Sequence, residues 1–348
     1  MNRMTERKIG SGEHANVLPD AISPGGRARN VRWGRAMVGI LLAGQIAGQR
    51  TPLESTIALP SLSDIEGPLN RGLRHQIAQA IQAKDYPKAE QILVREIDRN
   101  PRSSELLKMI ASVLFLDGKY LNVAIALKKA EKLSPLDDQS RFALAMAYVA
   151  MNHTAWAQPE LDKLHGRDPD NALYLYWLGR LDYDAERLPE AVAKLEKTVE
   201  LDPNFVKAHD NLGLCYEALG RFEDAVKSYA RAVELNRTAN PGSPWPPMNL
   251  GALLLKIERA EEAERYFQES LRINARFAPA HYELGIAFER KGQDADAIRQ
   301  LEEAAALDTN YAQPHYALGR IYRKIGEKQK SKAELAVFES LKHARPQP

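Results

Sequence analysis

One spacing constrains this chain more than anything else in it: a pattern of small and apolar residues that returns every 34 positions. In the stretch 206–236, Val206, His209, Leu212, Gly213 and Tyr216 share one face at helical spacing. Gly220 follows where a left-handed residue is wanted to close a helix. Phe222, Ala225, Val226, Tyr229, Ala232 and Val233 then make a second apolar face. The stretch therefore predicts two amphipathic helices joined by a tight turn. Gly213, Ala225 and Ala232 are small where two packed axes, about 8–10 Å apart, would be closest.

Steps of 34 upstream from Gly213 land on Gly179, Ala145, Ala111 and Ile77. Downstream, one step of 38 reaches Gly251, and further steps of 34 reach Gly285 and Gly319. A small position on the second helix keeps pace as Ala89, Val123, Ala157, Ala191, Ala225, Ala263, Ala297 and Ser331. A large apolar position four residues later does the same: Leu93, Leu127, Leu161, Leu195, Tyr229, Phe267, Leu301 and Leu335. Eight units in register predict an all-α solenoid in which each unit buries its apolar face against its neighbours.

This grammar resembles the tetratricopeptide repeat (TPR) family, whose period is 34 residues in a helix–turn–helix unit. The central unit carries the resemblance in Leu212, Gly213, Tyr216, Gly220, Ala225, Tyr229 and Ala232. The family's closing proline stands as Pro101, Pro135, Pro169 and Pro203, and is replaced by Arg237, Ala275, Thr309 and His343 in later units. The expected repeats are 70–103, 104–137, 138–171, 172–205, 206–239, 244–277, 278–311 and 312–345. The first is the weakest, with Ile77 and Glu96 at usually small positions. The four extra residues between the fifth and sixth repeats fall in a proline-rich loop, 240–247, that holds Trp245. It offers that ring either as loop packing or as a binding anchor.

The array is preceded by three stretches of different character. Residues 1–35 hold seven basic against three acidic residues and lack periodicity, as a disordered leader would. Residues 36–48 are mostly apolar behind Arg32 and Arg35. Twelve such residues suit a secretory signal and are short for a spanning helix of about 20. The expectation is export, to the periplasm of a bacterium or to a membrane anchor if the segment stays uncleaved; the alternative is a cytoplasmic protein. Residues 49–69, with Pro52, Pro60 and Pro68, read as a linker.

Function follows from the repeats. In the TPR family the first helix of each repeat lines a concave surface, so the resemblance implies a scaffold that binds a protein or peptide there. On that surface the spacing places Tyr176, Arg180, Tyr183, Lys207, Asn211, Asn249, Tyr282, Arg290, Tyr316, Arg320 and Arg323, with Trp245 at its edge. Asp184, Glu217 and Lys324 are further candidates. Tyrosines interleaved with arginines suit an extended or acidic peptide, since tyrosine offers area at low entropy cost and arginine grips a carboxylate with two hydrogen bonds. One TPR sub-family clamps a peptide C-terminus with lysines and asparagines. Lys207, Asn211 and Asn249 match part of that clamp; Pro279 and Glu283 do not.

Other chemistry finds little footing. Outside the leader the chain carries 41 basic and 43 acidic residues, against the basic excess of a nucleic-acid binder. Cys215 is the single cysteine and sits among packing residues. His209, His281 and His315 recur in register where the family carries packing aromatics, and zinc needs ligand nitrogens within about 2.1 Å of one ion. The acidic pairs Asp137–Asp138, Glu261–Glu262 and Glu302–Glu303 look like helix-dipole partners rather than acid–base pairs. No phosphate loop or nucleophile triad is present, so neither a cofactor nor an enzymatic activity is expected. The alternative class is a membrane-tethered assembly factor anchored through residues 36–47.

Overall fold

The structure, a computed structural model, describes residues 69–239 and 242–344. The leader, the apolar segment 36–48 and all but the last residue of the 49–69 linker lie outside the described residues. The described residues form sixteen α-helices and no strand. They run in pairs: α1 (Arg71–Gln82) with α2 (Tyr86–Arg99), α3 (Ser104–Leu116) with α4 (Tyr120–Glu131), and α5 (Asp138–Ala150) with α6 (Thr154–Arg167). Then come α7 (Ala172–Asp184) with α8 (Leu188–Leu201), and α9 (Val206–Ala218) with α10 (Phe222–Thr238). The last pairs are α11 (Trp245–Lys256) with α12 (Ala260–Ile273), α13 (Ala278–Arg290) with α14 (Asp294–Leu307), and α15 (Ala312–Lys324) with α16 (Lys328–Ala344).

From the second hairpin onward, each closes on a small residue facing a large one; the first has Ile77 there. A Cβ on Gly213 would run into the Tyr229 ring. On Gly251 it would stand 2.7 Å from Phe267, and on Gly285 and Gly319 2.7 Å from Leu301 and Leu335. These are the two residue series that the 34-residue spacing picks out. Leu93, Leu127, Leu161, Leu195, Tyr229, Phe267 and Leu301 are all fully buried. Leu335, on the last described helix, is only half-buried.

The turn inside each hairpin is fixed by backbone chirality. Gly118, Gly220, Gly292 and Gly326 have φ between 73° and 87°. The equivalent positions in the other repeats are Lys84, Asn152, Glu186 and Glu258, with φ between 58° and 67°. At Gly220 the closure has two hydrogen bonds, Gly220 N–H to Glu217 O at 3.0 Å and Arg221 N–H to Tyr216 O at 2.8 Å. That is the double bond pattern of a Schellman turn.

The four extra residues after the fifth repeat are absorbed locally. Helix α10 runs 17 residues where α8 and α12 run 14. The Asn236 side chain then holds the loop by donating to Ser243 O and accepting from Ser243 N–H, both at 2.8 Å. Ser270 Oγ donates to Pro244 O at 2.8 Å. Trp245 opens α11 and is 5% exposed, edge-on to Phe277 with ring centroids 4.7 Å apart. Packing therefore claims this ring, and the reading of Trp245 as an exposed binding anchor is corrected.

Successive repeats touch unequally. First helices approach the next first helices in the pairs α3–α5, α7–α9, α9–α11, α11–α13 and α13–α15. Second helices do not approach one another to the same degree among the described residues. The crowded side of a curved stack is its inside, so the first helices line the concave face.

Candidate functional site

Along that face, polar side chains reach from one first helix to the next. Asn211 on α9 donates to the Tyr176 hydroxyl on α7 at 3.1 Å and accepts from Arg180 at 3.2 Å. Asn249 on α11 donates to both carboxylate oxygens of Asp210 on α9, at 3.0 and 3.1 Å. Lys256 on α11 pairs with Glu217 on α9 at 2.9 Å. Arg290 on α13 donates to the Leu255 carbonyl at 2.5 Å. Arg320 on α15 pairs with Glu289 on α13 through Nε at 2.9 Å. These partners lie 31 to 39 residues apart, roughly one repeat, so they act as rungs that hold neighbouring first helices in register.

The rungs correct part of the candidate set. Tyr176, Asn211 and Asn249 are buried, and their polar atoms are engaged inside the array. Tyr176 also packs its ring against Phe205 at 4.8 Å. The partial match to a C-terminal clamp fails for the same reason: both asparagines already spend their amides on neighbours. Arg290 and Arg320 are structural partners with exposed heads.

Other candidates keep free surface. Tyr316 is 45% exposed, beside Phe338 at 5.1 Å and with the Arg320 guanidinium 6.0 Å from its ring centre. Tyr282 is half-buried against Tyr311 at 5.3 Å, and burial holds its hydroxyl well above the ordinary range. Tyr183 is half-buried with Arg180 5.8 Å from its ring centre, and burial pushes its hydroxyl up to about 12. Arg323 is exposed one turn from Arg320.

The middle of the groove holds charge in a poorly hydrated setting. Burial, reinforced by the nearby Arg180 charge, pushes the Lys207 ammonium down to about 8. Burial pushes the Asp210 carboxyl up to about 6 against the pull of its bonds from Asn249. Burial pushes the Glu283 carboxyl on α13 up to about 7, with Arg290 drawing it down and Glu217 raising it further. Glu283 is the lining group that sequence reasoning did not place among the binding candidates. The signal was there, since it stands at the sixth position of its repeat, where Asn249 was recognised.

The histidines pack. His209 and His281 each donate through Nε2 to a backbone carbonyl six residues earlier, Pro203 and Ala275, both at 3.0 Å. His315 Nδ1 meets Glu334 at 2.7 Å. No group of three potential metal ligands occurs among the described residues. Cys215 is fully buried, and burial pushes its thiol up to about 12. No described helix is long and apolar enough to cross a membrane.

The hairpins, their 34-residue period and the small-on-large seam all agree with known families. Two models described as tetratricopeptide repeat match residues 205–276 and 248–317, and one described as TPR repeat matches 179–220. Over residues 179–317 the chain is a tetratricopeptide-repeat protein. Among TPR relatives, the TPR repeat-containing protein YpiA of Bacillus subtilis (strain 168) is 29% identical over 162 residues, covering 44% of this chain and 35% of that protein. The cytochrome c-type biogenesis protein CycH of Bradyrhizobium diazoefficiens is 31% identical over 116 residues, covering 32% of this chain and 30% of that protein. The match thus spans about a third of the length of these curated relatives. The crystal structure of yeast Tom70 aligns over 92% of this chain and 72% of its own, with a TM-score of 0.58 and 15% identity. At that identity the likeness is one of fold. The curvature of stacked repeats of this kind creates extended concave surfaces.

Proposed function

We propose that this protein is a non-catalytic scaffold that binds a protein or peptide segment along the concave face formed by α7, α9, α11, α13 and α15. The observation that carries this reading is the arrangement of that face. Tyr183, Tyr282 and Tyr316 keep free surface on it, while the cross-helix rungs hold it in one shape before any partner arrives. A preformed groove spares a ligand the cost of ordering its site. Recognition is then an equilibrium between a ready surface and an extended segment, with no bond made or broken.

The partner class is supported by the match to TPR models and by the near-neutral array, which lacks the overall basic excess of a nucleic-acid binder. Export, by cleavage at the apolar segment 36–48 or by its retention as an anchor, remains part of the same proposal. The test of the groove is a pull-down with the full chain, comparing wild type with Tyr282→Ala/Tyr316→Ala at unchanged helicity and melting temperature. A partner captured by wild type and lost by the variant supports the reading. A partner retained by both would place the site elsewhere. Fractionation of the tagged full chain tests export: recovery only in the cytoplasm would contradict it.

A further inference from the structure

The outer face of the first three repeats differs from that of the repeats that follow. Leu121, Ile125 and Lys129 stand one turn apart along α4, so they share one side of it. That side faces solvent: all three are exposed, Leu121 by 61% and Ile125 by 47%. A step of 34 residues back gives Pro87, Gln91 and Arg95 on α2, and a step forward gives Ala155, Pro159 and Lys163 on α6, again all exposed. Lys119, at the start of α4, reaches Glu90 on α2 at 2.8 Å, and Lys128 on α4 reaches Glu160 on α6 at 3.5 Å. The three helices therefore lie side by side, and their stripes join into an apolar band bordered by a row of cations. In the fifth and sixth repeats the positions of Leu121 and Ile125 hold charge instead, Glu223 with Lys227 and Glu261 with Arg265.

The charge here has one sign. Helices α2, α4 and α6 expose seven basic side chains and two acidic ones, Asp98 and Asp162, whereas α8, α10, α12 and α14 expose six basic and eight acidic. Arg95 and Lys129 make no ion pair among the described residues. Such a face calls for an anionic partner, and a second copy meeting it with its own would set cation against cation. The aliphatic side chains stand out from the outside of the stack rather than line a groove, which suits a medium they can enter more than a protein they must fit. Trp156, beside Ala155 and 56% exposed, is the residue type that bilayer interfaces favour. These repeats are also the ones that follow the apolar segment 36–48 in sequence. We propose that the outer face of α2, α4 and α6 rests on an anionic bilayer surface. Leu121 and Ile125 enter the boundary between headgroups and acyl chains, and Arg95, Lys129 and Lys163 sit at the lipid phosphates. The inner face is left free for its own partner.

The test is co-sedimentation of the full chain with vesicles of phosphatidylcholine alone or with about one third phosphatidylglycerol. Every form carries Ile40→Glu/Leu42→Glu, which takes the apolar segment out of the comparison. This parent should partition onto the anionic vesicles about tenfold or more above the neutral ones, and should lose most of that preference at about 0.5 M salt. Leu121→Gln/Ile125→Gln and Arg95→Glu/Lys129→Glu should each lower the anionic partition about tenfold, with melting temperature kept because all four side chains are exposed. Lys227→Glu/Arg265→Glu, on the outer face of the fifth and sixth repeats, should leave it within about twofold. Partition that ignores lipid charge, that survives both first-repeat variants, or that falls equally in Lys227→Glu/Arg265→Glu would overturn the proposal. No partition of the parent would overturn it and leave the face to a protein. If sedimentation velocity then showed a dimer that Leu121→Gln/Ile125→Gln abolishes, that protein would be a second copy.

Discussion

Gly213 lies under the ring of Tyr229, so close that no Cβ fits between helix α9 and the ring that α10 lays across it. The same contact recurs at smaller scale where Gly179 meets Leu195, Gly285 meets Leu301 and Gly319 meets Leu335. Where the second helix carries an aromatic ring, Tyr229 or Phe267, the first-helix residue beneath it is glycine.

Gly213→Leu should therefore destabilise the array by about 1–3 kcal/mol or more through overpacking. Thermal or urea unfolding followed by circular dichroism reads this directly. Gly213→Ala/Tyr229→Leu should recover most of what Gly213→Ala loses, because it copies the native pairing of Ala145 with Leu161. A melting temperature for Gly213→Leu equal to wild type would mean that the small-on-large seam is not what closes the hairpins.

Lys84, Glu186 and Glu258 occupy the turn position that Gly118, Gly220, Gly292 and Gly326 fill elsewhere. A left-handed backbone costs a side-chain-bearing residue about 1–2 kcal/mol, and glycine's extra chain entropy returns part of that. Each single change to Gly should stabilise by about 0.5–1 kcal/mol in urea titration. Asn152→Gly should gain least, since Asn tolerates this conformation.

The hairpins and their seam were legible in the sequence because the 34-residue period repeats the same local packing problem. Gly213 and Tyr229, Gly251 and Phe267 announce each other at a fixed offset. The groove was less legible. Whether Asn211 meets a partner or its neighbour Arg180 depends on how far the stack curves, and no local pattern encodes that. A trace was present in complementary side chains about one repeat apart, such as Glu217 with Lys256 and Glu289 with Arg320. Trp245 was ambiguous for a different reason: its fate depends on Phe277, which lies a full repeat downstream.

Glu283 ties stability to pH. Its folded carboxyl sits at about 7, above the ordinary 4.5, so the folded state holds a proton that the unfolded chain releases within that window. Stability from this group is lost as pH rises from about 4.5 to 7, and the cost stays in full above it. Glu283→Gln should stabilise by about 1–2 kcal/mol at pH 8 and by almost nothing at pH 4, measured by urea unfolding at each pH. An equal gain at both values would remove the carboxyl's ionisation from the explanation.

Cys215 should be chemically silent in the folded chain. Its thiol is fully buried and raised to about 12, so thiolate is scarce at neutral pH. Reaction with a thiol-specific disulfide reagent should be slow in buffer and complete within minutes in 6–8 M urea, and its rate in buffer should track global unfolding. Fast labelling of the native protein would place Cys215 in an open segment.

The central claim is that recognition happens on the inner face of the array. The most direct measurement is a quantitative pull-down with the full chain in three forms: wild type, Tyr282→Ala/Tyr316→Ala on the first helices, and Lys197→Glu/Lys227→Glu on the second. All three should share one helicity and melting temperature. The account predicts a partner captured equally by wild type and the second-helix variant and lost with the first-helix variant. Loss in the second-helix variant, with full capture by Tyr282→Ala/Tyr316→Ala, would contradict it and move the binding surface to the outside of the array.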